Sequence, residues 1–267
     1  MSRADDSPSR ERDASASARH QTKKRFGQHF LHDAGILRRI VQAIAPMRGQ
    51  AMIEIGPGDG ALTLPLLREL GRLTVIELDR DLVPRLRAAA EGVGELDIIN
   101  ADVLTVDFTA LAAQAKLRIV GNLPYNISSP ILFHCLDHID AIDDMHFMLQ
   151  KEVVERMAAA PGSKVYGRLS VILQLVCRVD PLLNVPPGAF RPPPKVDSSV
   201  VRLTPRVPEE RPTADAALIA RIVKAAFGQR RKTLSNALSG VVTPAQIVSA
   251  GIEPRERAEQ LAPAAFV

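Results

Sequence analysis

The sequence has no apolar run that approaches the roughly 18–20 residues a membrane span needs, so no membrane is expected among its partners. It has only two cysteines, Cys135 and Cys177, both in apolar surroundings. Two isolated thiols leave no disulfide framework and point to a reducing compartment, here expected to be the cytoplasm. Residues 1–22 lack the apolar core of a secretory signal, and Asp5, Asp6, Glu11 and Asp13 argue against an organellar transit peptide. They read as a disordered leader. No internal repeat or coiled-coil heptad is present, and without surplus apolar surface a monomer is expected. A metal pair is conceivable at His134 and His138, with Cys135 between them. No acid or third ligand sits at useful spacing, and Leu132, Phe133 and Leu136 make the stretch look like packing, so no metal is expected.

What is present is enough for one large domain, or a domain plus a smaller one: 267 residues, of which 46% are hydrophobic. The formal charge of +4 is unevenly spread. Residues 1–200 carry 24 basic and 24 acidic side chains, whereas residues 201–267 carry 10 and 6. A basic patch beside a neutral domain suggests a polyanionic partner; the plainer reading is a solvated helix face. Gln229-Arg230-Arg231-Lys232 and Lys23-Lys24-Arg25 form two basic clusters, which together favour phosphate contacts.

Short apolar, β-branched segments at 51–55, 73–78, 97–100, 117–120 and 145–149 alternate with amphipathic stretches at 61–70, 81–90 and 129–139. That alternation predicts βαβ units and a parallel sheet covered on both faces, an α/β fold. Two more strands are predicted at 182–185 and 198–203, separated by a proline-rich extended loop ending in Pro192-Pro193-Pro194. After Pro205 the spacing of Leu218, Ile219, Ile222, Val223, Ala226 and Phe227 turns helical, predicting a small all-helical domain from residue 206.

The first predicted strand runs into Gly56-Pro57-Gly58-Asp59-Gly60-Ala61, where Gly56, Gly58 and Ala61 match a dinucleotide-type turn. Taken alone the match is weak. Two acids sharpen it: Glu77 ends the second strand, where a carboxylate accepts from ribose hydroxyls, and Asp102 follows the third, where it can accept from an adenine amino group. Acids at strand ends also cap helices. The fourth strand ends in Asn122, Leu123, Pro124 and Tyr125. A plain turn would use such residues, but so would a clamp for an amino group on a base. The amide oxygen of Asn122 and the carbonyl of Leu123 can accept both N–H hydrogens, Pro124 stiffens the loop, and Tyr125 offers a stacking face. Phe190, in the proline-stiffened loop, either plugs the core or stacks on the same base.

These residues resemble the S-adenosylmethionine-dependent ribosomal RNA adenine dimethyltransferases. The resemblance runs from Lys24 to about Leu261 and is carried by KRFGQHFL (24–31), EIGPGDGALT (54–63), VIELDRDL (75–82), GNLPYNISSPI (121–131), MHFMLQKEV (145–153), YGRLSV (166–171), FRPPPKVDSSVVRL (190–203) and AFGQRRKTL (226–234). It implies a Rossmann-like class I methyltransferase domain over 23–205 and a helical RNA-binding domain over 206–267. S-adenosylmethionine is the implied methyl donor, contacted by His29, Leu31, Gly56, Glu77, Asp102 and Asn122. Asn122, Leu123, Pro124 and Tyr125 would hold the adenine, with Phe190 on its other face. The implied reaction places two methyl groups on N6 of two adjacent adenines in the 3'-terminal hairpin of small-subunit rRNA, within a pre-assembled small subunit. The chain departs from the usual pattern at His29, where the family commonly has asparagine. Methylation of adenine in DNA and a non-catalytic role in subunit assembly are the competing readings.

Overall fold

The computed structural model describes residues 29–112, 115–229 and 231–267. The expected leader at 1–22, the Lys23-Lys24-Arg25 cluster and Arg230 lie outside the described residues. In chain order the strands are β1 (Phe30–Leu31), β2 (Met52–Ile55), β3 (Arg72–Ile76), β4 (Glu95–Ile99), β5 (Leu117–Asn122), β6 (Ile142–Gln150), β7 (Cys177–Val185), β8 (Phe190–Arg191) and β9 (Ser198–Pro205). Helices α1 (Ala34–Ile44), α2 (Thr63–Leu70), α3 (Val83–Ala90), α4 (Phe108–Leu111) and α5 (Ser128–Asp137) accompany the first six strands. Then come α6 (Lys151–Met157), α7 (Arg168–Val176), α8 (Ala216–Gly228), α9 (Leu234–Ala237) and α10 (Pro244–Ser249). Among the described residues no helix is long and apolar enough to cross a membrane.

Seven strands form one sheet in the order β4-β3-β2-β5-β6-β9-β7. From β4 to β6 every pairing is parallel, and β9 runs antiparallel to both its neighbours. The chain first winds outward through β2, β3 and β4, then returns to place β5 on the other side of β2. The crevice beyond the carboxyl ends of β2 and β5 is therefore the switch point where α/β sheets of this kind bind ligands.

Strand alternation builds the core on both faces. Ile53, Ile55, Ile119 and Phe147 point to one side and pack with Ile131, Leu132 and Phe108. Their sequence neighbours Met52, Val120 and Met148 point to the other and pack with Ile40, Leu66 and Leu67. A period of two with both faces covered is why these strands read as continuous apolar runs. A third cluster joins Tyr166, Val171 and Leu175 to Ile219, Val223, Leu234 and Phe266, and the Tyr166 hydroxyl donates to the Leu261 carbonyl at 2.8 Å.

Several strand bounds differ from expectation: β4 and β6 begin at Glu95 and Ile142, two and three residues before the predicted segments. β7 begins at Cys177, five residues before the predicted strand, because the sheet continues through Pro181. Proline is tolerated there since β7 is the edge strand and its register shifts between Pro181 and Leu183. β5 also runs past Val120 to include Gly121 and Asn122. A methyl group on Gly121 would lie 2.6 Å from the Ile55 carbonyl oxygen, so only glycine lets β5 approach β2 at the floor of the crevice.

Candidate active site

The carboxyl ends of β2 to β5 and the short β1 enclose a cavity of about 300 Å³. Its wall includes Gly56, Glu77, Asp102, Asn122, Leu123, Pro124 and Tyr125 together with His29 and Leu31. Nine of the ten residues singled out from the sequence thus meet at one place, although they span the chain from 29 to 125.

The turn after β2 is shaped by close packing. Gly58 has φ +60°, and a methyl group there would sit 2.9 Å from the Phe30 ring carbon Cε1. Its N–H donates to Glu77 Oε2 at 3.2 Å, while the Asp79 N–H donates to Oε1 at 2.7 Å. Burial pushes the Glu77 carboxyl up from its ordinary value, and these backbone donors oppose the shift. Gly58→Ala is expected to destabilise the fold by about 1–2 kcal/mol through the left-handed backbone alone. Crowding of Phe30 should add a measurable loss of cofactor affinity; thermal melts and calorimetric titration check the two effects. Asp102 caps the one-turn helix that follows it, with Oδ1 accepting from the Leu104 N–H at 3.0 Å, and still lines the cavity. Capping and ligand contact are therefore compatible at this residue.

At the end of β5 the Asn122 Nδ2 group donates to the His29 carbonyl at 3.0 Å. A carbonyl can only accept, so this bond fixes the amide with its oxygen as the remaining polar group. Tyr125 is anchored by a 2.6 Å hydrogen bond between its hydroxyl and Ser198 Oγ at the start of β9. Burial pushes the phenol up, with the Ser198 bond opposing, so it stays protonated at neutral pH. The Pro124 carbonyl accepts from the Ile127 N–H at 3.1 Å, turning the chain into α5.

β1 is a strap across this crevice. Phe30 and Leu31 pair with Arg191 and Phe190, and the His32 N–H donates to the Ala189 carbonyl. Phe190 is 2% exposed, packs in the core with Leu31, Ile40 and Val185, and is absent from the cavity wall. Pairing with Leu31 sets the Phe190 ring against the core, where it supports the strap. The His29 ring lies beside Tyr125, 5.8 Å away and inclined by 28°.

The family model described as ribosomal RNA adenine dimethylase matches residues 19–267. The chain belongs to the ribosomal RNA adenine dimethylase family. Its reaction is S-adenosylmethionine-dependent dimethylation of adenine in ribosomal RNA. A relative from Xanthomonas campestris pv. campestris, ribosomal RNA small subunit methyltransferase A, is 63% identical over 245 residues, which are 92% of this chain and 94% of the relative. A dimethyladenosine transferase from Plasmodium falciparum superposes with a TM-score of 0.79 at 26% identity, covering 89% of this chain and 94% of that one. The 23S rRNA methyltransferase ErmE superposes with a TM-score of 0.69 at 24% identity over 89% of this chain and 96% of its own, a likeness of fold.

In this dimethylase the cavity fits the cofactor on its own chemistry. A methyl group on Gly56 would meet no atom within 4 Å, so the turn leaves open space against its backbone. Glu54 lines the same cavity, is 2% exposed, and its Oε2 has no hydrogen-bond partner of good geometry among the described residues. Burial pushes the Glu54 carboxyl up to about 8; the Thr63 hydroxyl alongside opposes this, and Glu77 and Asp59 add to it. A buried, unpaired carboxyl suits a ligand that carries cationic groups. Glu54 is a functional candidate that the fold adds. Its signal was a charged residue within the otherwise apolar Met52–Ile55. Ser198 had no such signal.

The two histidines weighed as a metal pair are engaged otherwise. His134 Nε2 bonds the Val106 carbonyl at 2.9 Å and His138 Nδ1 bonds Thr109 Oγ1 at 2.8 Å. Among the described residues no group of three potential ligands converges.

Proposed function

We propose that the enzyme dimethylates N6 of two adjacent adenines in the 3'-terminal hairpin of 16S rRNA, within a pre-assembled small ribosomal subunit, as a cytoplasmic monomer. The name of the Xanthomonas relative supports the small-subunit context. The observation that carries the chemistry is the Asn122 amide, locked by the His29 carbonyl with its oxygen left to accept from N6. Asn122 Oδ1 and the Leu123 carbonyl take the two N–H groups of the adenine, Pro124 holds the loop rigid, and Tyr125 stacks on the ring. Those acceptors favour a pyramidal nitrogen with its lone pair free for the incoming methyl. The bound cofactor supplies a methyl group on a sulfonium, a good leaving group.

Glu77 and Asp102 hold the cofactor's ribose and adenine, Gly56 gives its backbone room, and His29 and Leu31 close over it from the strap. Residues 23–205 form the cofactor-binding unit. Residues 206–267, with their basic excess, face the RNA phosphates. Methyl transfer from labelled S-adenosylmethionine tests the reading directly. Label is expected in small subunits that lack the modification; transfer to DNA in its place would favour the DNA reading.

Glu54 gives a second expected result. Its carboxyl sits at about 8 in the folded protein against an ordinary 4.5, so it is mostly protonated at pH 7. Binding a cationic cofactor beside it favours the carboxylate and should release a proton. Titration calorimetry in buffers of different ionisation heat measures that release, and Glu54→Gln should abolish it. The sign for the cofactor-free fold follows from the raised value. The favourable contribution is complete below about pH 4.5 and is lost as pH rises through about 8. Wild type should therefore melt progressively below Glu54→Gln between pH 5 and pH 9 (roughly).

A further inference from the structure

Resting on the reading of Glu77 as the cofactor's ribose acceptor, we propose that Asn100 is a positioning residue for the adenosine half of the crevice, acting on Glu77 from the end of β4. Its Nδ2 group donates to the Glu77 carbonyl at 2.7 Å and reaches the Leu78 carbonyl at 3.4 Å. Asn100 is itself exposed and does not line the cavity, whereas both residues it holds do. Its part in binding is therefore indirect. An asparagine just past a strand is most often a turn former. This one has its amide committed to the backbone of the residue that carries a cavity carboxylate.

The pairing of β3 with β4 shows why a side chain is used at this point. The last paired residues are Ile76 and Ile99, and the Glu77 N–H still donates to the Ile99 carbonyl at 3.0 Å. In a regular parallel ladder the next rung would reach the Glu77 carbonyl from the backbone of the neighbouring strand. β4 ends at Ile99 and the chain turns towards Asp102, so the Asn100 amide makes that rung instead. A carbonyl only accepts, which sets the amide with its nitrogen towards Glu77.

From there the bond reaches the carboxylate through one peptide. The Glu77 carbonyl and the Leu78 N–H share a plane, so holding the carbonyl fixes the direction in which the chain leaves Glu77. Two residues on, the Asp79 N–H returns to Glu77 Oε1 at 2.7 Å, while the Gly58 N–H holds Oε2 at 3.2 Å. The Asn100 amide, the peptide between Glu77 and Leu78, and the Asp79 N–H thus form one continuous support for the carboxylate. The same peptide aims Leu78, which is 51% exposed on the cavity wall.

Calorimetric binding of S-adenosylhomocysteine, the demethylated cofactor, and of its analogue lacking the ribose 2′-hydroxyl tests this support. Asn100→Ala removes the amide, Asn100→Asp keeps its shape without a donor, and Asn100→Gln keeps the donor on a longer stem. Ala and Asp should weaken S-adenosylhomocysteine roughly three- to ten-fold, the scale of one ordinary hydrogen bond, and Gln should regain part of the loss. The deoxy analogue makes less use of Glu77 and should lose less, so the preference for the ribose form narrows in Ala and Asp. At saturating S-adenosylmethionine, kcat and the KM for small subunits should stay within about two-fold of wild type. The inference is overturned if Ala or Asp binds as tightly as wild type, if both ligands weaken equally, or if kcat falls at unchanged cofactor affinity. Wild type that fails to bind S-adenosylhomocysteine, or that shows no preference for the ribose form, would instead overturn the reading of Glu77 on which the inference rests.

Discussion

Replacing Asn122 with alanine should lower methyl transfer by roughly 100-fold or more at saturating cofactor, the scale of removing one preorganised polar group from a reacting centre. On the proposed reading the substitution removes the Oδ1 acceptor for N6; it also removes the Nδ2 bond to the His29 carbonyl. The first loss falls on the chemical step and the second on the strap. Cofactor affinity should therefore fall only by the worth of one ordinary hydrogen bond, about 0.5–1.5 kcal/mol, or up to about ten-fold. Single-turnover transfer and a calorimetric titration measure the two losses separately. An equal loss in both would mean that Asn122 serves the cofactor alone. Asn122→Asp keeps an acceptor but loses the donor, and should sit between alanine and wild type.

The second large effect lies beneath the site. Arg118 is 8% exposed and sits in β5, four residues before Asn122. Its guanidinium bonds both carboxylate oxygens of Asp144 at 2.9 and 2.8 Å, a fork-to-fork pair across β5 and β6. The remaining donors reach the Ile44 carbonyl at 2.7 Å, the Ala45 carbonyl at 3.2 Å and Gln50 Oε1 at 2.8 Å. Ile44 and Ala45 end α1, so Arg118 satisfies carbonyls that the helix leaves open at its C-terminus. Arg118→Ala would leave a largely buried carboxylate and two helix-end carbonyls without partners. The expected cost is about 3–5 kcal/mol, or about 10 °C in Tm for a chain of this size. Lysine cannot reproduce the planar fork and should recover only part of it. Thermal unfolding at pH 7 measures both. His146 Nδ1 lies 3.7 Å from Asp144 Oδ1 beside this pair. With Arg118 in place, burial pushes the His146 pKa down to about 4 and the Arg118 charge adds to that lowering, so the ring is neutral in wild type at pH 7.

Much of the α/β frame was legible because the central parallel strands β2, β5 and β6 are buried on both faces and so write themselves as apolar runs, while β3 and β4 toward the edge are only partly buried. The switch point was legible for the same reason, since Gly56, Glu77, Asp102 and Asn122 each follow one of those runs. What escaped was set by distant partners. Pro181 hid the first half of β7, because a proline looks like a strand break until the strand is known to be an edge. Phe190 reads from sequence as either a core plug or a stacking face, because its ring direction is set by pairing with Leu31 in a two-residue strand too short to leave a periodic signal. The His29–Tyr125 pair depends on the strap crossing the crevice, which no local spacing encodes. Glu54 was visible as a charge in an apolar strand, but only the fold shows that its carboxyl reaches the cavity with Oε2 unpartnered among the described residues.

The most direct test of the account is the chemical identity of the product. Purified enzyme, S-adenosylmethionine and small ribosomal subunits from a strain lacking the modification would be incubated, and the RNA digested to nucleosides for mass analysis. The account predicts N6,N6-dimethyladenosine from wild type and its near absence with Asn122→Ala. Wild-type enzyme that binds the cofactor yet leaves adenosine unmodified, or an Asn122→Ala enzyme that methylates at the wild-type rate, would contradict it.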